Sequence, residues 1–285
     1  MQNKLKVSFF DTQLIKSYLA VLSVISLIFS FVLIVIELPD DIKIKVLFGV
    51  GMLLVFLSIY IGMWISANWS KHALLKINNS SLEVKIGDIF SEDALKVIAF
   101  NEYFDTQVDN VIIAENTLNG IFLKSKVENI KEFNSLINKD KYLENKIIEN
   151  KKNRPVGKKK RYKIGTIFQY KDYLLTAMTK FDDNNRAYLY MQDYINFLIN
   201  FWNEIDIIYA GRSVAIPLLG SGITRFKEFN TISEQELLEI IIWSFKISRI
   251  KFTYPSKVSI IIHKSKLDKI NFYKLKGDNE NGLQD

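Results

Sequence analysis

Two long segments without a formal charge lie near the start of this chain, and they constrain its fold more than any other feature. Residues 18–36 give nineteen such positions and residues 46–68 another twenty-three. A helix rises about 1.5 Å per residue, so each segment is long enough to cross a hydrocarbon core about 30 Å thick. A cleaved signal peptide would have a shorter apolar region and no second span close behind it. The sequence therefore predicts a transmembrane hairpin within residues 1–76.

The charges around the two spans indicate their orientation. The loop 37–45 is acidic apart from two lysines, whereas lysines flank both outer ends: Lys4, Lys6 and Lys16, then Lys71, Lys76 and Lys85. Cytoplasmic segments carry an excess of Lys and Arg. We therefore expect a multi-pass protein of the cell inner (plasma) membrane with both termini in the cytoplasm. Neither span contains Asp, Glu, Lys, Arg or His, which argues against a charged relay or transport pathway and leaves an anchor or a simple oligomeric pore.

Small residues recur along one face of each span. Ser58, Gly62 and Ser66 are spaced four residues apart in the second span, and Ser23, Ser26 and Ser30 form a similar stripe in the first. Small side chains let helices approach closely in lipid. One interpretation is packing within the hairpin. The other is a seam for assembly between copies, which predicts a homo-oligomer.

The composition excludes several kinds of site. The chain has no cysteine, so it has no disulfide, thiolate nucleophile or cysteine-bound metal, and it fits a reducing compartment. Its two histidines, His72 and His263, leave little for a histidine-based metal or catalytic site. We expect no catalytic residue, metal or cofactor. A basic run at residues 151–161 is interpreted as an exposed loop with few aromatic neighbours, so we expect no nucleic-acid partner there; contact with anionic lipid is the alternative use.

After the second span, strand and helix patterns alternate. Alternating or continuous apolar runs predict strands at residues 82–86, 94–100, 173–178, 214–218 and 258–262. Apolar positions at helical spacing predict a helix over 188–205, and a capping box, Ser233 with Glu236, opens another helix. The pattern predicts an α/β layered domain with parallel strands. Ligands in such sheets lie beyond the carboxyl ends of strands, where Asn101 and the turn at 220–224 fall.

The segment 211–226, GRSVAIPLLGSGITRF, runs from a predicted buried strand into a glycine-flanked turn. Gly220 and Gly222 permit positive φ and let the backbone approach a ligand, and successive N–H groups of such a turn form an anion-binding concavity. The turn therefore suits a diphosphate, with the hydroxyls of Ser221 and Thr224 in reach. The alternative is a plain connection, because short Gly/Ser turns after strands are common.

Two further polar side chains follow predicted strands. Asp88 has only acceptors to offer and could bind an adenine amino group; alternatively, it is a turn aspartate that bonds its own backbone. Asn101 could bond ribose hydroxyls as both donor and acceptor; alternatively, it caps a strand turn.

Three groups of residues make the segment 77–285 resemble the macro domain, a family that binds ADP-ribose and related nucleotides. Gly87-Asp88-Ile89 is similar to the family's G-D-I element, 97–101 (VIAFN) to the strand that ends in a ribose-facing asparagine, and 215–223 (AIPLLGSGI) to its second phosphate-binding loop. The resemblance implies a mixed, largely parallel central sheet flanked by helices. It also implies a set of ligand-binding residues: Asp88, Ile89, Asn101, Asp105, Thr106, Leu219, Gly220, Ser221, Gly222, Ile223 and Thr224.

Two stretches depart from the family pattern. No glycine follows Asn101 until Gly120, where the family has a glycine-rich first loop, and this weakens the case for ADP-ribosyl hydrolysis. Residues 124–163, which are rich in Lys, Asn and Glu, are interpreted as an insertion.

A two-span hairpin joined to a divergent macro domain resembles the transmembrane-macro effectors of Thoeris antiphage systems. The resemblance implies that a partner TIR-domain protein makes an ADP-ribose derivative, carrying histidine, which the macro domain senses. The chain would then oligomerise and disrupt the lipid bilayer in an abortive-infection response. Two rival functions stay open: a membrane-tethered ADP-ribosyl hydrolase and a non-catalytic membrane adaptor.

Overall fold

Two long N-terminal helices open the fold. The structure is a computed structural model that describes residues 5–36, 39–182, 185–222, 225–227 and 232–280. The helices are α1 (Thr12–Val35) and α2 (Ile42–Trp69). Both begin before the predicted uncharged segments because an aspartate caps each: Asp11 accepts the Leu14 N–H at 3.0 Å and Asp41 accepts the Lys43 N–H at 2.8 Å. By length and mean hydropathy, 2.7 and 2.4, both helices could cross a membrane.

The small-residue stripe of α2 faces away from α1. Tyr60 and Ala67 are buried at the base of the hairpin in a cluster that also contains Leu14 of α1. Ser58, Gly62 and Ser66 are exposed, and a Cβ added at Gly62 would meet nothing within 4 Å. The interpretation of this stripe as the packing face of the hairpin is therefore wrong, and the stripe is a free surface of the single chain.

Eleven strands and six further helices follow in the described residues. The strands are β1 (His72–Ile77), β2 (Ser80–Ile86), β3 (Leu95–Asn101), β4 (Ile147–Asn150), β5 (Lys160–Tyr162), β6 (Ile167–Tyr170), β7 (Tyr173–Phe181), β8 (Ala187–Leu189), β9 (Val214–Pro217), β10 (Arg225–Phe226) and β11 (Val258–Ile262). The helices are α3 (Leu118–Ser125), α4 (Ile130–Lys139), α5 (Lys141–Glu144), α6 (Met191–Ile208), α7 (Glu234–Ser248) and α8 (Phe272–Glu280). Two 3-10 turns, Ile89–Ser91 and Lys264–Lys269, follow β2 and β11.

One mixed sheet organises these elements. In the described residues it has nine strands in the order β1-β2-β11-β9-β3-β7-β8-β10, with β6 also paired to β7. The five central strands, β2, β11, β9, β3 and β7, are all parallel to one another. Register pairs Ile86 with Ile262, and Ile261 with Pro217. The carboxyl ends of these strands therefore meet at one edge of the sheet, as predicted.

Helices cover both faces of the sheet, and the alternation along β3 shows why. Val97 belongs to a core with the aromatic residues of α6 and α7, whereas Ile98 and Phe100 belong to a second core with α3, α4 and Tyr162 of β5. Successive strand side chains point to opposite faces, so the apolar run 97–100 of β3 serves two cores. The prediction of an α/β layered domain is confirmed.

The predicted insertion folds onto the domain as ordered secondary structure. Residues 124–163 contain α4, α5 and the antiparallel pair β4–β5. Elsewhere the predicted boundaries shift by a few residues: the helix predicted at 188–205 spans Met191–Ile208. The predicted capping box is confirmed at the start of α7, where Ser233 and Glu236 bond reciprocally.

Candidate functional site

The loop that follows β9 turns sharply at the edge where the parallel strands end. Gly220 has φ +86°, and a Cβ there would lie 3.2 Å from Cζ of Phe226 and 3.4 Å from Cδ2 of Leu237. Only glycine combines that conformation with so close an approach. The Ser221 hydroxyl donates to the carbonyl of Leu218 at 2.8 Å, which closes the turn.

A hydrogen bond from the core holds the buried side of this loop, and its outer side is exposed. Leu219 is buried, and its carbonyl accepts the Tyr194 hydroxyl at 2.8 Å. Burial raises the pKa of that hydroxyl, so it stays a donor. Gly222 is exposed, with open space around its Cβ position. Ile223 and Thr224 lie outside the described residues, so their predicted contacts stay predictions.

A lysine that sequence reasoning missed reaches the same loop. The Lys266 ammonium donates to the carbonyl of Ser221 at 3.2 Å and pairs with Glu234 at 2.6 Å. Burial alone would raise the pKa of Glu234, but hydrogen bonds from Lys266 and Lys269 outweigh it and lower that pKa to about 2. Lys266 is far from the loop in sequence. Lys266 follows β11, so it could have been placed beside the loop only if the pairing of β11 with β9 had been known. The sequence did not specify that pairing.

Asp88 and Ile89 follow β2 at the same edge. The Asp88 carboxylate is exposed and accepts the N–H of Phe90 at 3.0 Å, so the turn-aspartate alternative describes its contacts. Ile89 is buried against Ala215 and Ile261. This packing fixes the exposed carboxylate beside the ends of β9 and β11.

Asn101 ends β3, and its side chain bonds the turn that follows. Its Oδ1 accepts the N–H groups of Tyr103 at 3.0 Å and Asp105 at 3.3 Å, and its Nδ2 donates to Oδ2 of Asp105 at 3.1 Å. Within the turn that follows Asn101, Tyr103, Phe104 and Asp105 are buried. The turn folds inward because Phe104, with φ +48°, packs on the core at Tyr162.

Arg154 locks the basic loop onto this turn. Its guanidinium donates to both oxygens of Asp105 at 3.1 and 2.8 Å and to the side-chain oxygen of Asn185. It also lies 3.9 Å over the ring of Tyr103. The side chains of Arg154 and Asp105 are only 6% and 1% exposed, so this is a buried ion pair.

The expectation of a wholly exposed basic run is therefore wrong. Besides Arg154, Arg161 pairs with the buried Glu102 at 2.7 Å, and the Lys158 ammonium is buried without a hydrogen-bond partner among the described residues. The run pairs inward because the turn after β3 supplies two buried carboxylates. Thr106, another predicted ligand-binding residue, donates to Asn134 at 3.0 Å.

A cavity of about 730 Å³ opens beside this locked turn. Its walls are Tyr103, Glu149, Asn150, Lys151, Lys152, Asn153, Arg154, Pro155, Phe181, Asp182 and Asn185. Aromatic rings and charges of both signs line it, and Tyr103 lies two residues beyond Asn101. Those predicted ligand-binding residues that the structure describes thus share one edge of the sheet, but they are not walls of this cavity.

The fold and this edge define a class: a macro-domain protein that carries two apolar N-terminal helices. The family described as "Thoeris protein ThsA, Macro domain" matches residues 82–263. The Thoeris protein ThsA of Bacillus amyloliquefaciens (strain Y2) is 46% identical over 232 residues, which cover 80% of this chain and 77% of that protein. The chain therefore belongs to the ThsA family of Thoeris proteins and contains that family's macro domain.

Solved structures give a more distant comparison. The Oceanobacillus iheyensis macrodomain with MES bound has a TM-score of 0.45 and 12% identity, over 74% of this chain and 96% of that one. The same macrodomain with ADP has a TM-score of 0.44 and 12% identity, with the same coverage.

Proposed function

We propose that this protein is a membrane-anchored effector of Thoeris antiphage defence that senses an ADP-ribose derivative at the carboxyl edge of its sheet. One observation carries the proposal. The loop after β9 has Gly220 in a conformation reserved for glycine, is held from behind by Tyr194, and is open on the outside at Gly222. Such a loop offers backbone N–H groups to a diphosphate.

The other contacts of the nucleotide follow from where the edge residues lie. The exposed Asp88 carboxylate is free on its outer side to accept an adenine amino group. A ribose contact with Asn101 requires its amide to give up a bond to the turn, and a contact with Asp105 competes with Arg154. We therefore assign the primary contacts to Asp88 and to residues 219–224, with Ile89 holding Asp88 in place, and secondary ones to Asn101, Asp105 and Thr106.

The cavity beside Tyr103 supplies room for a second group on the ligand. It lies next to the turn that would face the distal ribose, and it offers aromatic walls with both cationic and anionic side chains. We propose that a TIR-domain partner protein makes the ligand and that the added group is histidine. The two proteins then communicate through the small molecule alone.

Ligand binding is proposed to favour an assembled state whose clustered hairpins disrupt the membrane. A ligand shifts this equilibrium only as far as it binds the assembled form better than the resting form. The exposed stripe of Ser58, Gly62 and Ser66 supports helix contact between copies.

Neither of two rival functions fits the described residues as well. An ADP-ribosyl hydrolase needs a group that activates water, but the two carboxylates buried in the turn after β3, Glu102 and Asp105, are paired with arginines. Turnover of an ADP-ribosylated protein would support that rival. A structural adaptor would bind no nucleotide at all.

Calorimetry on the full chain in detergent micelles tests the proposal. We expect selective binding of histidine-linked ADP-ribose over ADP-ribose. Gly220→Val should abolish it, but this change also strains the fold because φ is +86°. Gly222→Ala is the matched variant: its Cβ meets nothing within 4 Å, so the melting temperature should be unchanged while a ligand packed on the loop is displaced. Binding of neither nucleotide by the intact chain would contradict the proposal.

A further inference from the structure

The 3-10 turn Lys264–Lys269 and helix α8 lie against the base of the two apolar helices. The Lys6 ammonium, just before α1, donates to the carbonyl of Leu267 at 2.6 Å. In return, the side-chain amide of Asn271 donates to the carbonyl of Lys6 at 3.1 Å. These reciprocal bonds fix the turn and the start of α8 beside the N-terminal segment.

Tyr273 of α8 marks how close this surface comes to the apolar span. Its hydroxyl donates to the hydroxyl of Ser17 at 3.3 Å, and Ser17 directly precedes the first predicted span, 18–36. Its ring packs with the cluster of Leu14, Tyr60 and Ala67. Tyrosine is enriched at membrane–water interfaces, where one end of its side chain is apolar and the other polar. The start of α8 therefore lies at the level where the span leaves the hydrocarbon.

The charge at this level is strongly positive. Residues 264–276 contain five lysines and one aspartate. Within the described residues, Lys266, Lys269 and Lys274 pair with glutamates of α7. A further set of exposed lysines has no ion pair among the described residues: Lys16, Lys71, Lys264 and Lys276. We call these four the basal lysines.

We propose that the basal lysines bind the headgroups of anionic phospholipids in the leaflet that the hairpin enters, so that the macro domain lies on the membrane surface. The inference rests on the proposed membrane insertion. Lysines close to an anionic leaflet each strengthen association by about fivefold, and their long stems let the ammonium reach the headgroups. Lys16 and Lys71 flank the two apolar spans, whereas Lys264 and Lys276 belong to the macro domain. Lipid binding by all four would therefore hold the domain beside the hairpin.

The surface also lies one side chain from the proposed ligand loop. Lys266, within the same 3-10 turn as Lys264, bonds the carbonyl of Ser221. Lipid contact would therefore steady the turn that backs the loop.

The full chain in nanodiscs tests this inference. Discs of phosphatidylcholine alone are compared with discs that also contain phosphatidylglycerol, and hydrogen exchange is followed for residues 264–276. We expect phosphatidylglycerol to slow exchange by about fivefold or more at low salt, with the effect weakening as salt is added. Lys264→Glu with Lys276→Glu should abolish the difference. Lys131→Glu with Lys139→Glu, an equal charge change on exposed positions of α4, should leave it intact.

The outcomes separate the two proposals. A chain that stays in both kinds of disc but exchanges equally in them overturns the lipid-binding inference alone. The same holds if the α4 variant loses the difference as fully as the basal variant. A chain that leaves discs of either composition overturns membrane insertion, and the inference with it.

Discussion

Lys158 is a buried cation that the fold does not compensate. Its ammonium has no hydrogen-bond partner among the described residues, and the nearby Asp105 carboxylate is already bonded by Arg154 and by the backbone N–H of Lys158 itself. Burial lowers the pKa of the ammonium to about 8, against a weaker opposing effect of Asp105. Such a residue costs stability whenever it is charged.

The pH dependence of stability tests this cost. An unfolded lysine has a pKa near 10.4, so between about pH 8 and 10 the unfolded chain binds one more proton than the folded chain, and this term stabilises the fold as pH rises. Lys158→Met should raise the free energy of unfolding at pH 7 by about 1–3 kcal/mol and flatten that rise. Thermal unfolding in detergent across this range measures both. Lys159→Met, at an exposed neighbour, is the control. An unchanged pH profile in Lys158→Met would show that the ammonium is solvated.

At the scale of elements, the first part of the basic run, residues 151–158, is held against the turn after β3 by the buried ion pair of Arg154 with Asp105. Arg154→Met leaves the Asp105 carboxylate buried and unpaired, which should cost about 3–5 kcal/mol. We expect faster hydrogen exchange over residues 147–162 and a lower melting temperature. The control is Arg212→Met, which removes an exposed pair with Asp172 of the same 2.8 Å length and should change stability by less than about 1 kcal/mol. Equal losses of stability in the two variants would show that the buried ion pair of Arg154 does not hold residues 151–158 in place.

Elements whose sequence signals lie within a few residues of one another were predictable. Contacts between elements that are distant in sequence were not. The strand at 258–262 and the capping box at Ser233 follow from apolar runs and helix-start chemistry a few residues long. The inward turn of Arg154 depends on Asp105, a carboxylate 49 residues away. A run of lysines and arginines gives no local sign of which cations face inward. For the same reason the edge position of the loop after β9 was predictable, but its lysine partner was not.

At the scale of the whole molecule, part of the sheet edge proposed to bind the ligand lies on the same side as the base of the two apolar helices. β1 begins directly after α2, and the N–H of Ile86, at the carboxyl end of β2, bonds the carbonyl of Lys71. From there the 3-10 turn at Lys266 reaches the loop after β9. The loop after β9 is therefore connected to the base of the two apolar helices by a short series of contacts, which the proposed coupling would use.

Assembly of whole molecules should depend on the exposed stripe of α2. Replacing Ser58, Gly62 and Ser66 with leucine keeps the helix apolar but prevents close backbone approach between copies. Because the stripe lies in a different part of the chain from the proposed ligand-binding edge, calorimetry should give an unchanged affinity. The proposed ligand-induced oligomer should no longer be crosslinked, and liposomes should not leak. Gly49→Leu is the control, since its Cβ position is also open and it lies about 140° around the helix from Gly62. Leakage that survives the stripe variant but not the control would place the seam on the opposite face of α2.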